Sequence, residues 1–178
     1  MKKNKSLIII ISVIILILIF LIFVGTKNEK SFNQIQLYTS KNLITNTTQF
    51  EYYDTIIHVG LEKLGYEGID MMVFPLSETA IQNFSSLGDL NAHIREKDGK
   101  YYLFILPSSR QQSILTISHE LIHLTQYHTK KLIFSNGIVI WDGKQYILDQ
   151  INYNVRPWEE EAFSKERELS DKISKILY

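Results

Sequence analysis

Arg110-Gln111-Gln112-Ser113-Ile114-Leu115-Thr116-Ile117-Ser118-His119-Glu120-Leu121-Ile122-His123-Leu124-Thr125-Gln126-Tyr127-His128 is the stretch on which the fold turns. It follows Pro107-Ser108-Ser109, a break supplied with capping hydroxyls. Ile114, Ile117, Leu121 and Leu124 recur at helical spacing and form one apolar stripe. Leu115, Ile122, His119 and His123 form an adjoining face. A helix that is apolar around most of its circumference belongs at the centre of a domain. Within it, His119-Glu120-Leu121-Ile122-His123 spells H-E-x-x-H. Imidazoles four positions apart lie on one helical face and can reach a single zinc ion, while the carboxylate between them can act on a zinc-bound water. Such a site needs a third protein ligand from elsewhere in the chain.

On the N-terminal side, Leu90-Ala92-Ile94 and Tyr102-Phe104-Leu106 alternate about Asp98-Gly99, a hairpin signal because both turn residues must accept positive φ. His93 falls opposite Ala92 and Ile94 and is expected at the surface. Met71-Met72-Val73-Phe74 reads as a short buried strand closed by Pro75, and Ser77 can cap a brief helix to about Phe84. Further back, Phe50, Tyr53, Ile56, Ile57, Leu61 and Leu64 recur at helical spacing, with a capping box at Thr48-Gln49-Phe50-Glu51 and Gly65 placed to end the helix. His58 reads as a partly exposed residue of that helix. Phe32 to Asn46 is expected as loop or weak strand.

On the C-terminal side, Ile138 to Trp141 and Tyr146 to Leu148 form a second hairpin around Asp142-Gly143. Pro157 then opens a charged amphipathic helix to about Leu177. The third ligand is sought first within the central helix. The metzincin continuation of the motif requires Gly and His where this chain has Gln126 and Thr129, so it fails. His128 is one residue short of that position and reads as surface or as an outer partner. In the last helix Glu159, Glu160 and Glu161 are separated by helical phase. Trp158, Ala162, Phe163, Leu169, Ile173, Ile176 and Leu177 define its apolar face, and Glu159 alone of the three turns toward that face. Glu166, two turns on, also turns inward and is the second candidate.

H-E-L-I-H followed, 36 residues after His123, by E-x-x-A at the start of a helix resembles the gluzincin group of zinc metallopeptidases, including the compact minigluzincins and several membrane-bound relatives. The resemblance spans residues 89–178 and includes a strand before the motif helix. It implies one Zn2+ ion on His119, His123 and Glu159, Glu120 as catalytic base, and a zincin-like domain acting on a peptide or protein substrate. Relatives often carry Asp directly after the Ala, where this chain has Phe163, so whatever orients the zinc-binding histidines must come from elsewhere. A donor for the developing oxyanion is also required, and Tyr153 and Arg156, just ahead of the Glu159 helix, are candidates. The strand around Tyr102 to Leu106 is expected to pair with an extended substrate.

Leu7 to Val24 is apolar except for Ser12 and follows Lys2, Lys3 and Lys5. A helix of that length spans about 27 Å, and no A-x-A-like cleavage site follows. The expectation is an N-terminal cytoplasmic tip and transmembrane signal anchor over residues 1–24, a linker over 25–31 and an extracytoplasmic domain over 32–178, secreted instead if the anchor is cleaved. The expected fold class is therefore α+β: a transmembrane helix, then a compact zincin-like domain with a small antiparallel sheet, a central H-E-x-x-H helix and a C-terminal ligand-bearing helix. The absence of cysteine removes disulfides, thiolate ligands, a Cys nucleophile and a lipoprotein anchor. It also excludes the Cys ligand that peptide deformylases pair with the same motif. Lys+Arg and Asp+Glu both total 19, but five cations and one acid precede Ser31, leaving 14 against 18 beyond it. No basic stripe points to nucleic acid. The competing expectation is a membrane-tethered zinc-containing binding domain without turnover, against which the intact Glu120 argues because ligation does not need it.

Overall fold

The structure, a computed structural model, describes residues 41–76, 91–135 and 137–178. They lie in a compact unit, Ser40–Tyr178. The architecture is mixed α+β: β1 (Leu43–Asn46), α1 (Tyr52–Leu64), β2 (Asp70–Pro75), β3 (Ala92–Lys97), β4 (Lys100–Ile105), α2 (Arg110–His128), β5 (Leu132–Ser135), β6 (Ile138–Trp141), β7 (Lys144–Ile147) and α3 (Pro157–Leu177), with 3₁₀ turns at Leu148–Gln150 and Tyr153–Val155. The expected fold class is corrected in its membrane part. Among the described residues no helix is long and apolar enough to cross a membrane. The span expected over 1–24 and the linker over 25–31 lie outside the described residues, as does the helix expected after Ser77.

The main sheet is also not the antiparallel one expected. Its order is β1-β2-β4-β3, with β1 parallel to β2, β2 parallel to β4, and only β3 antiparallel to β4. β1 and β2 run parallel because α1 carries the chain back across the sheet between them, as a crossover must. Asp98 (φ 53°) and Gly99 (φ 77°) close the β3–β4 hairpin with Lys97 opposite Lys100, as the Asp-Gly signal requires. β4 is thus an interior strand, and the edge strands are β1 and β3. That corrects the expected substrate strand, since the N–H and C=O groups of β4 are engaged on both sides.

Met71, Val73, Ala92, Ile94, Tyr101, Leu103 and Ile105 turn their side chains to the helical layer. Against them pack α1 and α2, and α3 lies along α2. Gly60 allows the close approach of α1 to α2, since a Cβ there would run into Leu121 Cδ1. α1 ends as expected at Gly65 (φ 77°), whose N–H bonds Glu62 O. Its expected capping box does not form. Thr48 Oγ1 accepts from Phe50 N, and Glu51 takes the N-cap position without a side-chain bond.

Ser109 caps α2 by accepting from Gln112 N, and 11 of the helix's 19 residues are buried, which makes it the central element. A second, three-stranded antiparallel sheet follows, in order β5-β6-β7, with the Asp142-Gly143 turn as expected and β5 as an addition. Leu132, Val139, Trp141 and Trp158 form a separate small core that ties this sheet to the start of α3. Phe163 and Ile176, assigned from phase to the apolar face of α3, are 50% and 39% exposed. Helical phase places a side chain on a face, but the partner helix is too narrow to cover its margins.

Candidate metal centre

Glu120, His119 and His123 project from the middle of α2, and Glu159 from the first turn of α3; all four are at most 8% exposed. His119 Nε2 and His123 Nε2 are 3.1 Å apart, and Glu159 Oε2 lies 3.3 Å and 3.2 Å from them. Edges of this length fit one face of a tetrahedron around an ion with bonds of about 2.0–2.1 Å. His119, His123 and Glu159 thus form a group that could hold a metal ion. Pro157 at the first position of α3 and the Glu159 N–H bond to Arg156 O set the helix start that aims Glu159.

The outer partners decide which nitrogens face the centre. His119 Nδ1 lies 2.8 Å from Glu166 Oε2, an acceptor, so Nδ1 carries the proton and Nε2 keeps its lone pair. His123 Nδ1 lies 2.8 Å from Gln126 Oε1. The amide orientation of Gln126 is set by its Nε2, which donates to Trp158 O at 2.9 Å and to Glu161 Oε2 at 3.1 Å. Oε1 must therefore face the imidazole and accept from it. Three lone-pair acceptors then converge with no hydrogen between them, an arrangement that only protons or a bound cation relieve. In the metal-free protein protons serve. Burial lowers the affinity of His119 for a proton, but Glu159, Glu120 and Glu166 outweigh it and raise its pKa to about 9. His123 is likewise raised by Glu159 and Glu120 against burial. Glu159 is held far below the usual carboxylate range by the two histidines despite its burial.

Glu120 stands apart from the ligand group. Its Oε2 is buried without a hydrogen-bond partner among the described residues, and the backbone of Ile94 on the edge strand lies near enough to favour the charged form of its carboxylate. Burial raises its pKa, while His123 and His119 pull it down. A carboxylate in these surroundings holds a proton more readily than one in water. The orphan oxygen beside a three-ligand group fits a water or substrate bridging the two.

Glu166, the alternative ligand of the sequence analysis, is an outer partner and not a member of the three-ligand group. Phe163 packs its ring 4.7 Å from that of His119. Tyr153 lines the cleft beside the centre, and its hydroxyl pKa is raised by burial and by the nearby Glu159 carboxylate. Arg156 is buried and lines the same cleft, but its Nε donates to Ile151 O and its guanidinium lies over the Tyr153 ring. His128 is exposed, with Nδ1 3.2 Å from Tyr101 Oη. His58 lies in α1 and takes no part in the ligand group.

His93 corrects the surface assignment. It lines the cleft together with His119, His123 and Glu159, with Arg95 Nε donating to its Nε2 at 2.9 Å. Burial, Arg95 and His123 push its pKa down to about 4. Alternation had placed it correctly on the face away from Ala92 and Ile94. It could not show that β3 is the edge strand flanking the motif helix. Gln126 was missed as well, although it occupies the position that the metzincin comparison inspects. Compared with known proteins, the chain matches no family model, no curated protein and no solved structure.

Proposed function

We propose that this domain is a zinc-dependent peptidase of gluzincin type, with one ion on His119, His123 and Glu159 and with Glu120 as general base. The observation that carries the reading is the partnerless, buried Glu120 Oε2 next to three converging ligand atoms. A metal-storing or merely structural site gains nothing from burying a fourth, non-ligating carboxylate at such cost. When bound, zinc would lower the pKa of a coordinated water and polarise the scissile carbonyl.

The remaining work falls to side chains of this chain. Glu120 takes the proton of the attacking water and returns it to the amine as the C–N bond breaks. Its raised pKa favours holding that proton between the two transfers. Glu166 and Gln126 accept from the two Nδ1 atoms, so that on release of the Nε2 protons both Nε2 lone pairs would be free to hold an ion. Tyr153 offers a hydroxyl donor beside Glu159 for the charge that develops on the carbonyl oxygen, and Arg156, stacked on it, adds positive charge there. β3 has no strand partner on its outer side among the described residues. An extended peptide can add to that edge, and the Ile94 contact to Glu120 puts the catalytic carboxylate at the same level.

The test compares the full chain with Glu120→Ala and Glu159→Ala for metal content and for cleavage of a peptide mixture. Glu120→Ala should retain zinc and lose cleavage, and Glu159→Ala should lose both. Undiminished cleavage by Glu120→Ala would sink the proposal, and full zinc retention without any cleavage by the unaltered chain would favour a binding domain.

A further inference from the structure

The cleft around the ligand group extends well past it, with a volume of about 1060 Å³. Toward the C-terminal end of β3 its wall includes Tyr127, Leu132, Phe134 and Trp158. Trp158 and Leu132 are buried, whereas Phe134 is 43% exposed. The Phe134 ring stands edge-on to Trp158 at 6.4 Å and 6.3 Å from Tyr127. Phe134 is therefore held by aromatic neighbours and leaves one side open to the cleft. Because Trp158 directly precedes Glu159, this platform and the third ligand share the first turn of α3. An exposed aromatic surface in a concave place is what a ligand pocket retains and an ordinary surface does not.

Charge adds a second feature at the same end. Lys97 and Lys130 line the cleft, and neither is ion-paired among the described residues. The neighbouring carboxylate, Glu96, is turned to the hairpin, where its Oε1 accepts from Gly99 N at 2.8 Å. That end of the cleft is thus positive in a domain that is acidic as a whole. A peptide adding antiparallel to β3 runs from the Lys97 end toward Ala92, so the residues preceding the bond over Glu120 lie along this wall.

Resting on the peptidase reading, we propose that the chain selects extended peptides with a bulky apolar side chain ahead of the scissile bond, seated on Phe134, and a carboxylate further toward the peptide N-terminus, facing Lys97 and Lys130. Cleavage-site profiling of a mixed peptide library by the zinc-loaded full chain should show Phe, Tyr or Leu enriched before the bond and Asp or Glu enriched upstream of them. Phe134→Ser should lower kcat/KM on such peptides by about tenfold or more, with unchanged metal content and little effect on peptides carrying Ala at that place. Binding of the same peptides to the Glu120→Gln protein, which does not depend on turnover, should weaken in parallel when Phe134→Ser is added. Glu120-dependent cleavage without selectivity before the bond, or with selectivity only after it, overturns this inference and leaves the peptidase reading standing. Absence of Glu120-dependent cleavage sinks the peptidase reading, and the substrate assignment falls with it.

Discussion

Glu166 Oε2 accepts from His119 Nδ1 at 2.8 Å, reaching across from the third turn of α3 to the ligand-bearing face of α2. Phe163, three residues earlier in the helix, packs on the same imidazole. The acceptor that orients His119 thus stands seven residues after Glu159 in the same helix. Glu166→Gln keeps the packing but loses the charged acceptor. Metal affinity should fall about 10- to 100-fold, measured by competition with a chromophoric chelator. Unchanged affinity would show that Glu166 does not set the ring.

Gln126 performs the corresponding service for His123, and its amide is locked by Trp158 O and Glu161. Glu161 is in turn held by Lys131 and Lys165, both at 2.8 Å. Gln126→Leu preserves bulk in a site that is 1% exposed and removes the three bonds its amide makes to His123, Trp158 O and Glu161. The expected result is weaker metal binding and a loss of about 1–3 kcal/mol of stability, because the buried His123 Nδ1 is left without its acceptor. Denaturant titration of the metal-free and metal-loaded forms checks both effects.

Protonation and metal compete for one place. The pKa of His119 in the metal-free fold stands at about 9 against an ordinary 6.5. A folded value above the unfolded one means that this stabilisation is fully present below about pH 6.5 and is lost as pH rises through about 9. The stripped protein should therefore lose thermal stability across that window. Metal must displace the proton, so affinity should climb over the same range, with proton release seen by calorimetry in buffers of different ionisation heat. Metal affinity that stays flat across the window would refute the assignment.

The crossing of α1 and α2 bears on the centre from behind. A Cβ at Gly60 would collide with Leu121 Cδ1 and approach Ile173 Cδ1 to 3.2 Å. Leu121 is fully buried, so any shift of its side chain must be taken up by packed neighbours. Gly60→Ala should cost about 1–3 kcal/mol in spite of the better helix propensity of alanine. An unchanged unfolding midpoint would mean that the helices separate without penalty.

By itself the sequence determined the pieces whose cause is local. Helical spacing marked α2 and α3, the two Asp-Gly pairs set their hairpins through positive φ, and phase on α3 separated Glu159 from Glu160 and Glu161. Each of these follows from the period of one element or the backbone of two residues. What only the tertiary structure decided depends on elements far apart in the chain. It made β3 an edge strand instead of β4, because the parallel β2–β4 pairing joins strands separated by residues 76–99. It brought His93 into the cleft from a position that alternation alone makes a surface one. It also chose the nitrogens, through Glu166 and Gln126, since a tautomer is set by whatever acceptor a distant helix presents.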